Sequence, residues 1–108
     1  MEALGLENSM CRQVDVCDRD ALVAAVREAE EIYGPTDMMF NNAGVARLAN
    51  ISTQPPEDWD EMIDGNVKGL MYVTKAVLPQ MIEAKRGQII NLGSIAAKEV
   101  YPNGSVYC

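Results

Sequence analysis

The sequence predicts an α/β chain, a partial doubly wound parallel sheet with helices between its strands. Two observations carry this. Three short apolar runs of strand length, Cys11–Val16, Asp37–Phe40 and Gln88–Leu92, are separated by longer stretches whose apolar residues recur at helical spacing. Turn and capping residues stand at the boundaries between the two kinds of segment.

Each element has its own justification. Cys11–Val16 reads as a short strand ending in Asp15-Val16. Asp18 is a good N-cap for a helix over about Arg19 to Tyr33, with Leu22, Val26, Ala29 and Tyr33 on one face. Gly34-Pro35 ends that helix. Asp37–Phe40 is apolar and too short for a helix, so it reads as a buried strand. Asn41 to Thr53 reads as a loop. Pro55-Pro56 sets up a long helix from about Glu57 to Ala84, where Trp59, Ile63, Val67, Leu70, Val77 and Met81 follow helical spacing. Gln88–Leu92 is a second buried strand, and the chain from Gly93 onward reads as loop. No internal repeat, linker or low-complexity stretch interrupts the 108 residues, which make at most one domain.

Composition excludes several functions. A net charge of -7 argues against nucleic acid and anionic membrane surfaces, because no basic stripe could neutralise phosphates. No apolar run reaches the roughly 18 residues of a membrane helix. Residues Met1 to Gly5 lack the charged and apolar regions of a signal peptide. The three cysteines, Cys11, Cys17 and Cys108, form no C-x-x-C, and there is no histidine, so a metal site is not expected. Free thiols fit a reducing compartment, and the expected location is cytoplasmic. Without histidine a Ser-His-Asp triad is excluded. Glu28, Glu30 and Glu31 read as a solvated helix face.

Several segments carry candidate chemistry, each beside an ordinary reading. Gly65-Asn66-Val67-Lys68-Gly69 places two glycines and an asparagine inside the long helix, at roughly 2 kcal/mol relative to alanines. Either the helix opens locally at Asn66, or two helices meet at a turn at Gly65 or Gly69. Asn41-Asn42-Ala43-Gly44 follows a buried strand, where a ligand crevice is expected at the carboxyl end; it could equally be an Asn/Gly turn. Asp15 and Val16 could be a plain strand end. Ser94 follows Gly93 after a strand. Its hydroxyl could donate to a substrate carbonyl or make a local backbone hydrogen bond. Tyr107 could be an exposed loop residue after the turn Tyr101-Pro102-Asn103-Gly104.

What lifts these residues together is register. Ser94 lies thirteen positions before Tyr107, and Asn66 lies 28 before Ser94. An Asn, a Ser and a Tyr in that order and spacing resemble three members of the catalytic tetrad of the short-chain dehydrogenase/reductase family. Asn41-Asn42-Ala43-Gly44 resembles that family's N-N-A-G motif. Trp59 to Gly69, Ala76-Val77-Leu78-Pro79, Gly87 to Ser94 and Tyr101 to Cys108 are similar to it too, so the resemblance covers essentially the whole chain.

The resemblance implies a Rossmann-like fold, of which this chain holds strands three to five. It implies an oxidoreductase that transfers hydride between NADP or NAD and a small-molecule carbonyl or alcohol, such as a small hydroxy acid. Tyr107 would be the general acid/base, Ser94 would polarise the carbonyl oxygen, and Asn66 would position a water. Asp15, Val16, Asn41, Asn42, Ala43, Gly44 and Tyr107 would line the cofactor's side, with Asp15 accepting from the adenine amino group. The parent enzyme would be a homo-oligomer.

Two family features have no counterpart in these residues. No glycine-rich turn follows a first strand to receive a pyrophosphate. The lysine expected four positions after the tyrosine, which would favour its phenolate, falls past Cys108. The expectation is therefore a partial dinucleotide-binding domain over residues 1–108, which alone binds cofactor poorly and is inactive. The alternative is a non-catalytic product that binds a partner through exposed strand edges and the long helix. In a 3-2-1-4-5-6 sheet the strands at Asp37–Phe40 and Gln88–Leu92 should pair in parallel, while Cys11–Val16 has no native neighbour.

Overall fold

The computed structural model describes residues 8–108. Helix α1 spans Arg19–Tyr33. Its start is set by Asp18, whose side chain accepts from the Ala21 N–H at 3.1 Å, relieving one of the four donors a helix start leaves unpaired. It stops at Gly34, at φ 89°. Strand β1 follows at Met38–Asn41.

Next comes one long helical run with an irregular middle: α2 over Pro56–Ile63, a six-residue π-helix over Asp64–Gly69, and α3 over Leu70–Ala84. The chain stays helical through Gly65-Asn66-Val67-Lys68-Gly69. The local opening expected at Asn66 is therefore what forms, rather than a turn between two helices. A π segment widens the helix and disturbs its hydrogen-bond ladder. Gly69 also has a packing reason. A Cβ there would stand 3.0 Å from Val16 Cγ2 and 3.2 Å from the Val16 carbonyl oxygen.

Strand β2, Gln88–Asn91, closes the unit. It pairs with β1 in parallel, Met38 opposite Gln88 through Asn41 opposite Asn91. The ladder extends one residue each way, with Gln88 N–H donating to Asp37 O and Leu92 N–H to Asn41 O. At its carboxyl end Asn41 Nδ2 donates to Asn91 Oδ1 at 2.9 Å. A 3₁₀ turn at Ile95–Ala97 follows.

The core lies between α1, α3 and one face of the sheet. Val77 is fully buried, and Leu22, Val73, Ala76 and Met81 are buried too. The opposite sheet face is open, with Met38 and Phe40 both more than half exposed. The radius of gyration is 16.3 Å, against about 13 Å for a compact domain of this length. The unit therefore leaves much apolar surface uncovered.

Three expectations are corrected. The strands β1 and β2 are not buried, since no covering layer lies over the face that carries Met38 and Phe40 among the described residues. Cys11–Val16 is not a strand. Met10, Arg12, Val14 and Val16 share an apolar cavity of about 360 Å³ with α1, α3 and Met39 of β1. The inward period of two is thus present, but among the described residues the sheet holds only β1 and β2, and no strand there completes the ladder that its place in a 3-2-1-4 order requires. Glu30, in turn, is not on a solvated face. Its side chain is only 10% exposed, and Oε2 accepts from Arg27 Nη1 and from Gln80 Nε2 of α3, both at 2.8 Å.

Val77→Ala is expected to lower unfolding free energy by about 2 kcal/mol, through lost burial plus a residual cavity, measured by urea denaturation. Amide exchange is expected to protect Leu92 well above Gln13 and Val14. Equal protection in the monomer would contradict the non-strand placement of Gln13 and Val14.

Candidate active site

A cleft of about 410 Å³ opens at the carboxyl ends of the two parallel strands. This is where an open α/β sheet places its ligands. One wall is Asn41 to Ala46, leaving β1. Another is Leu92, Gly93 and Ser94, leaving β2. Asn66 and Leu70 come from the helical run, and Ala96, Ala97 and Tyr107 close the side. No lining residue carries a formal charge.

The structure brings Asn41, Asn42, Ala43, Gly44, Asn66, Ser94 and Tyr107 to this one cleft. Asn66 reaches it from the π segment, where its carboxamide grips the backbone of Val45 in both directions. Asn66 Oδ1 accepts from Val45 N–H at 2.8 Å, and Asn66 Nδ2 donates to Val45 O at 2.7 Å. That is how a peptide unit would pair in a sheet. Gly44 explains why the approach is close, since a Cβ there would meet Asn66 Oδ1 at 3.2 Å.

Ser94 makes the local bond that its loop setting allows. It caps the 3₁₀ turn, with Oγ accepting from Ala96 N–H at 3.2 Å. This uses one acceptor lone pair and leaves the hydroxyl proton to donate outward. Tyr107 lines the same cleft, half-buried. A hydroxyl and a phenol beside amide-lined walls can hold an uncharged polar group such as a carbonyl oxygen.

Asp15 and Val16 lie elsewhere. Asp15 is exposed, and its Oδ1 accepts from Cys17 N–H at 2.9 Å. Val16 lines a small neighbouring pocket of about 70 Å³ with Asn41, Asn42 and Ala43. It thus adjoins the cleft wall from behind. Among the described residues no group of three His, Cys, Asp or Glu could hold a metal ion, and no helix is long and apolar enough to cross a membrane.

Residues that sequence reasoning did not single out hold the wall in place. Gln54 Nε2 donates to Arg47 O at 2.8 Å, and Met62 Sδ accepts from Arg47 N–H at 3.5 Å. The Arg47 guanidinium meets Glu61 through two bonds of 3.0 Å. No periodicity marks these partners, because each acts across a loop.

Two titrations follow from this geometry. The Arg47 hydrogen bond holds the Glu61 carboxyl below its ordinary value. A depressed carboxylate contributes stability above its unfolded pKa and loses it as pH falls through the folded one. Partial burial, followed by the hydrogen bond to Asp15, raises the Cys17 thiol.

Arg47→Met is expected to move the Glu61 titration upward, read by carboxyl carbon shifts in an NMR pH series. Asp15→Asn should speed alkylation of Cys17 at pH 8, followed by site-resolved mass spectrometry. Asn66→Asp keeps the acceptor but sets a carboxylate against Val45 O. It is expected to cost about 2 kcal/mol in urea unfolding.

Comparison with known proteins places the chain in a family. A family model described as short chain dehydrogenase matches residues 2–108. The NADP-dependent 3-hydroxy acid dehydrogenase of Salmonella typhi is 43% identical over 102 residues, covering 94% of this chain and 41% of that protein. The crystal structure of serine dehydrogenase from Escherichia coli matches with a TM-score of 0.81 and 41% identity, over 89% of this chain and 45% of that one. A gluconate 5-dehydrogenase from Burkholderia cenocepacia, in complex with NADP and tartrate, matches with a TM-score of 0.82 and 33% identity, over 87% and 37%. The chain spans less than half the length of these relatives. A match of this extent, together with a parallel α/β unit carrying its cleft at the strand ends, shows that the chain belongs to the short-chain dehydrogenase family.

Proposed function

We propose that this chain forms the proton-transfer side of an NADP- or NAD-dependent oxidoreductase acting on a small carbonyl or alcohol substrate. The observation that carries the reading is the convergence of Asn66, Ser94 and Tyr107 on one uncharged cleft. Tyr107 gives its phenolic proton to the substrate oxygen in reduction and takes it back in oxidation. Ser94 donates its hydroxyl proton to the same oxygen and polarises the carbonyl. Asn66 holds the Val45 wall, and the π segment beside it is where a water of the proton path would sit. Small hydroxy acids are the substrate class that the names of the Salmonella and Escherichia relatives suggest.

The lining suits an uncharged part of a nicotinamide cofactor, such as its adenosine side, and the cofactor would supply the hydride when bound. The amides of Asn41 and Asn42 and the backbone of Ala43 and Gly44 offer hydrogen bonds without charge. Among the described residues no glycine-rich turn meets the cleft to receive a pyrophosphate. Asp15 remains the candidate for the adenine amino group, although it stands apart from the cleft. We therefore assign hydride chemistry to a longer chain and none to this one alone. A run of exposed apolar side chains along the helical run, Ile63, Val67, Met71 and Ile82, supports self-association of that longer chain.

The decisive test is a graft. Residues 8–108 replace the matching segment of the Escherichia serine dehydrogenase. The expected result is an NADP-dependent activity that Tyr107→Phe reduces by about 10²- to 10⁴-fold. A graft that folds, binds NADP and turns over substrate indifferently to Tyr107→Phe would sink the assignment. With the chain by itself, NADPH at about 1 mM should raise the melting temperature by less than about 1 °C. A large rise would contradict the weak cofactor binding.

A further inference from the structure

Val45 and Arg47 stand two residues apart in the segment that leaves β1. All four of their backbone groups are met by side chains. Asn66 serves the N–H and C=O of Val45. Met62 accepts from the Arg47 N–H, and Gln54 donates to the Arg47 C=O. Alternate residues bonded on one side is the pattern of a strand in a ladder. Here the partner is not a strand but three side chains from α2, its lead-in and the π segment.

Gln54 is the unusual member. It is 5% exposed, the one buried polar or charged side chain among the described residues. Its Nε2 is spent on Arg47 and its Oε1 accepts from Trp59 Nε1 at 3.0 Å. Its own N–H donates to Asn50 O at 2.9 Å. A buried carboxamide bonded at both ends has one orientation, and it transmits that orientation to whatever it holds. Gln54 does not line the cleft, and neither does Arg47; Val45 and Ala46 do.

We propose that Gln54 is a positioning residue for the cleft. Anchored by the Trp59 indole, it fixes Arg47 O and so sets where the Val45–Ala46 wall stands opposite Ser94 and Tyr107. Its value to catalysis rests on the function proposed above, since reacting groups lose efficiency when a wall shifts by about 1 Å. The placement itself is testable in the chain as it is.

The test is amide and indole hydrogen exchange by NMR on the full chain. Its single tryptophan gives one indole signal. In Gln54→Met the Trp59 indole N–H and the Val45 N–H are expected to exchange about tenfold faster, while the Val77 N–H in α3 keeps its rate. An unchanged Val45 would show that Gln54 only caps the indole, and overturns the proposal. Equal acceleration of Val45 and Val77 would make Gln54 a general support of the fold, and overturns it too. Should Gln54→Met fail to fold, Trp59→Phe removes the anchoring donor while keeping an aromatic ring. Val45 should then exchange severalfold faster with Val77 unmoved, and no change at Val45 would again refute the role. Because exchange is read rather than turnover, failure here leaves the assignment of Tyr107 standing, and loss of that assignment leaves this result unaffected.

Discussion

The site depends on one two-way hydrogen bond, the carboxamide of Asn66 against the backbone of Val45. A side-chain amide has the same donor and acceptor as a peptide unit. It can therefore complete a backbone that leaves a strand and has no neighbouring strand to pair with. For this to happen the amide must project from a helix at a point where the helix approaches a loop. The π segment at Asp64–Gly69 supplies that point. The widened turn, the small residues Gly65 and Gly69 and the close contact of Gly69 with Val16 serve one geometry. The helical cost of two glycines is offset by the bonds it makes possible.

From that clamp the rest of the cleft follows in order. The parallel pair of β1 and β2 brings the Asn41 and Leu92 ends side by side. The clamp turns the chain after Asn41 into a wall rather than a loose loop. Ser94, capping its own short turn, stands on the neighbouring strand end. Tyr107 arrives from the last stretch of chain, whose loop is tied back by Ala49 N–H donating to Asn103 O. The lining carries no charge, so it suits a neutral carbonyl. Under the proposed function, chemistry there would depend on proton donors in a fixed place more than on a strong local field.

Much of the architecture was legible because it is local. Asp18 and Gly34 mark the ends of α1 by capping rules that act within four residues. The strands at β1 and β2 betrayed themselves as apolar runs too short for helices. The irregular middle of the long helix was visible as a glycine cost without a local benefit, though its form as a π segment was not. Cys11–Val16 misled for a clear reason. Its alternation is real and its inward residues do face the core, but a ladder needs a neighbour, and strand pairing is not encoded in the strand's own residues. Glu30 misled similarly, because helical spacing cannot reveal that Gln80 stands across from it. For the site, Asn66, Ser94 and Tyr107 are each ambiguous alone and become candidates only as a spaced set, which the fold brings to one cleft. Val45, Gln54 and Met62 were illegible, since their roles exist only after the loop has folded onto the helix.

The account stands or falls on the Asn66 clamp, and that bond can be observed directly. A scalar coupling across the hydrogen bond, from Asn66 Nδ2 to the carbonyl carbon of Val45, should be detectable in the labelled chain, with the carboxamide protons exchanging slowly. A vanishing coupling together with exchange as fast as that of a free side-chain amide would mean that the helix does not hold the wall, and the cleft would lose its cause.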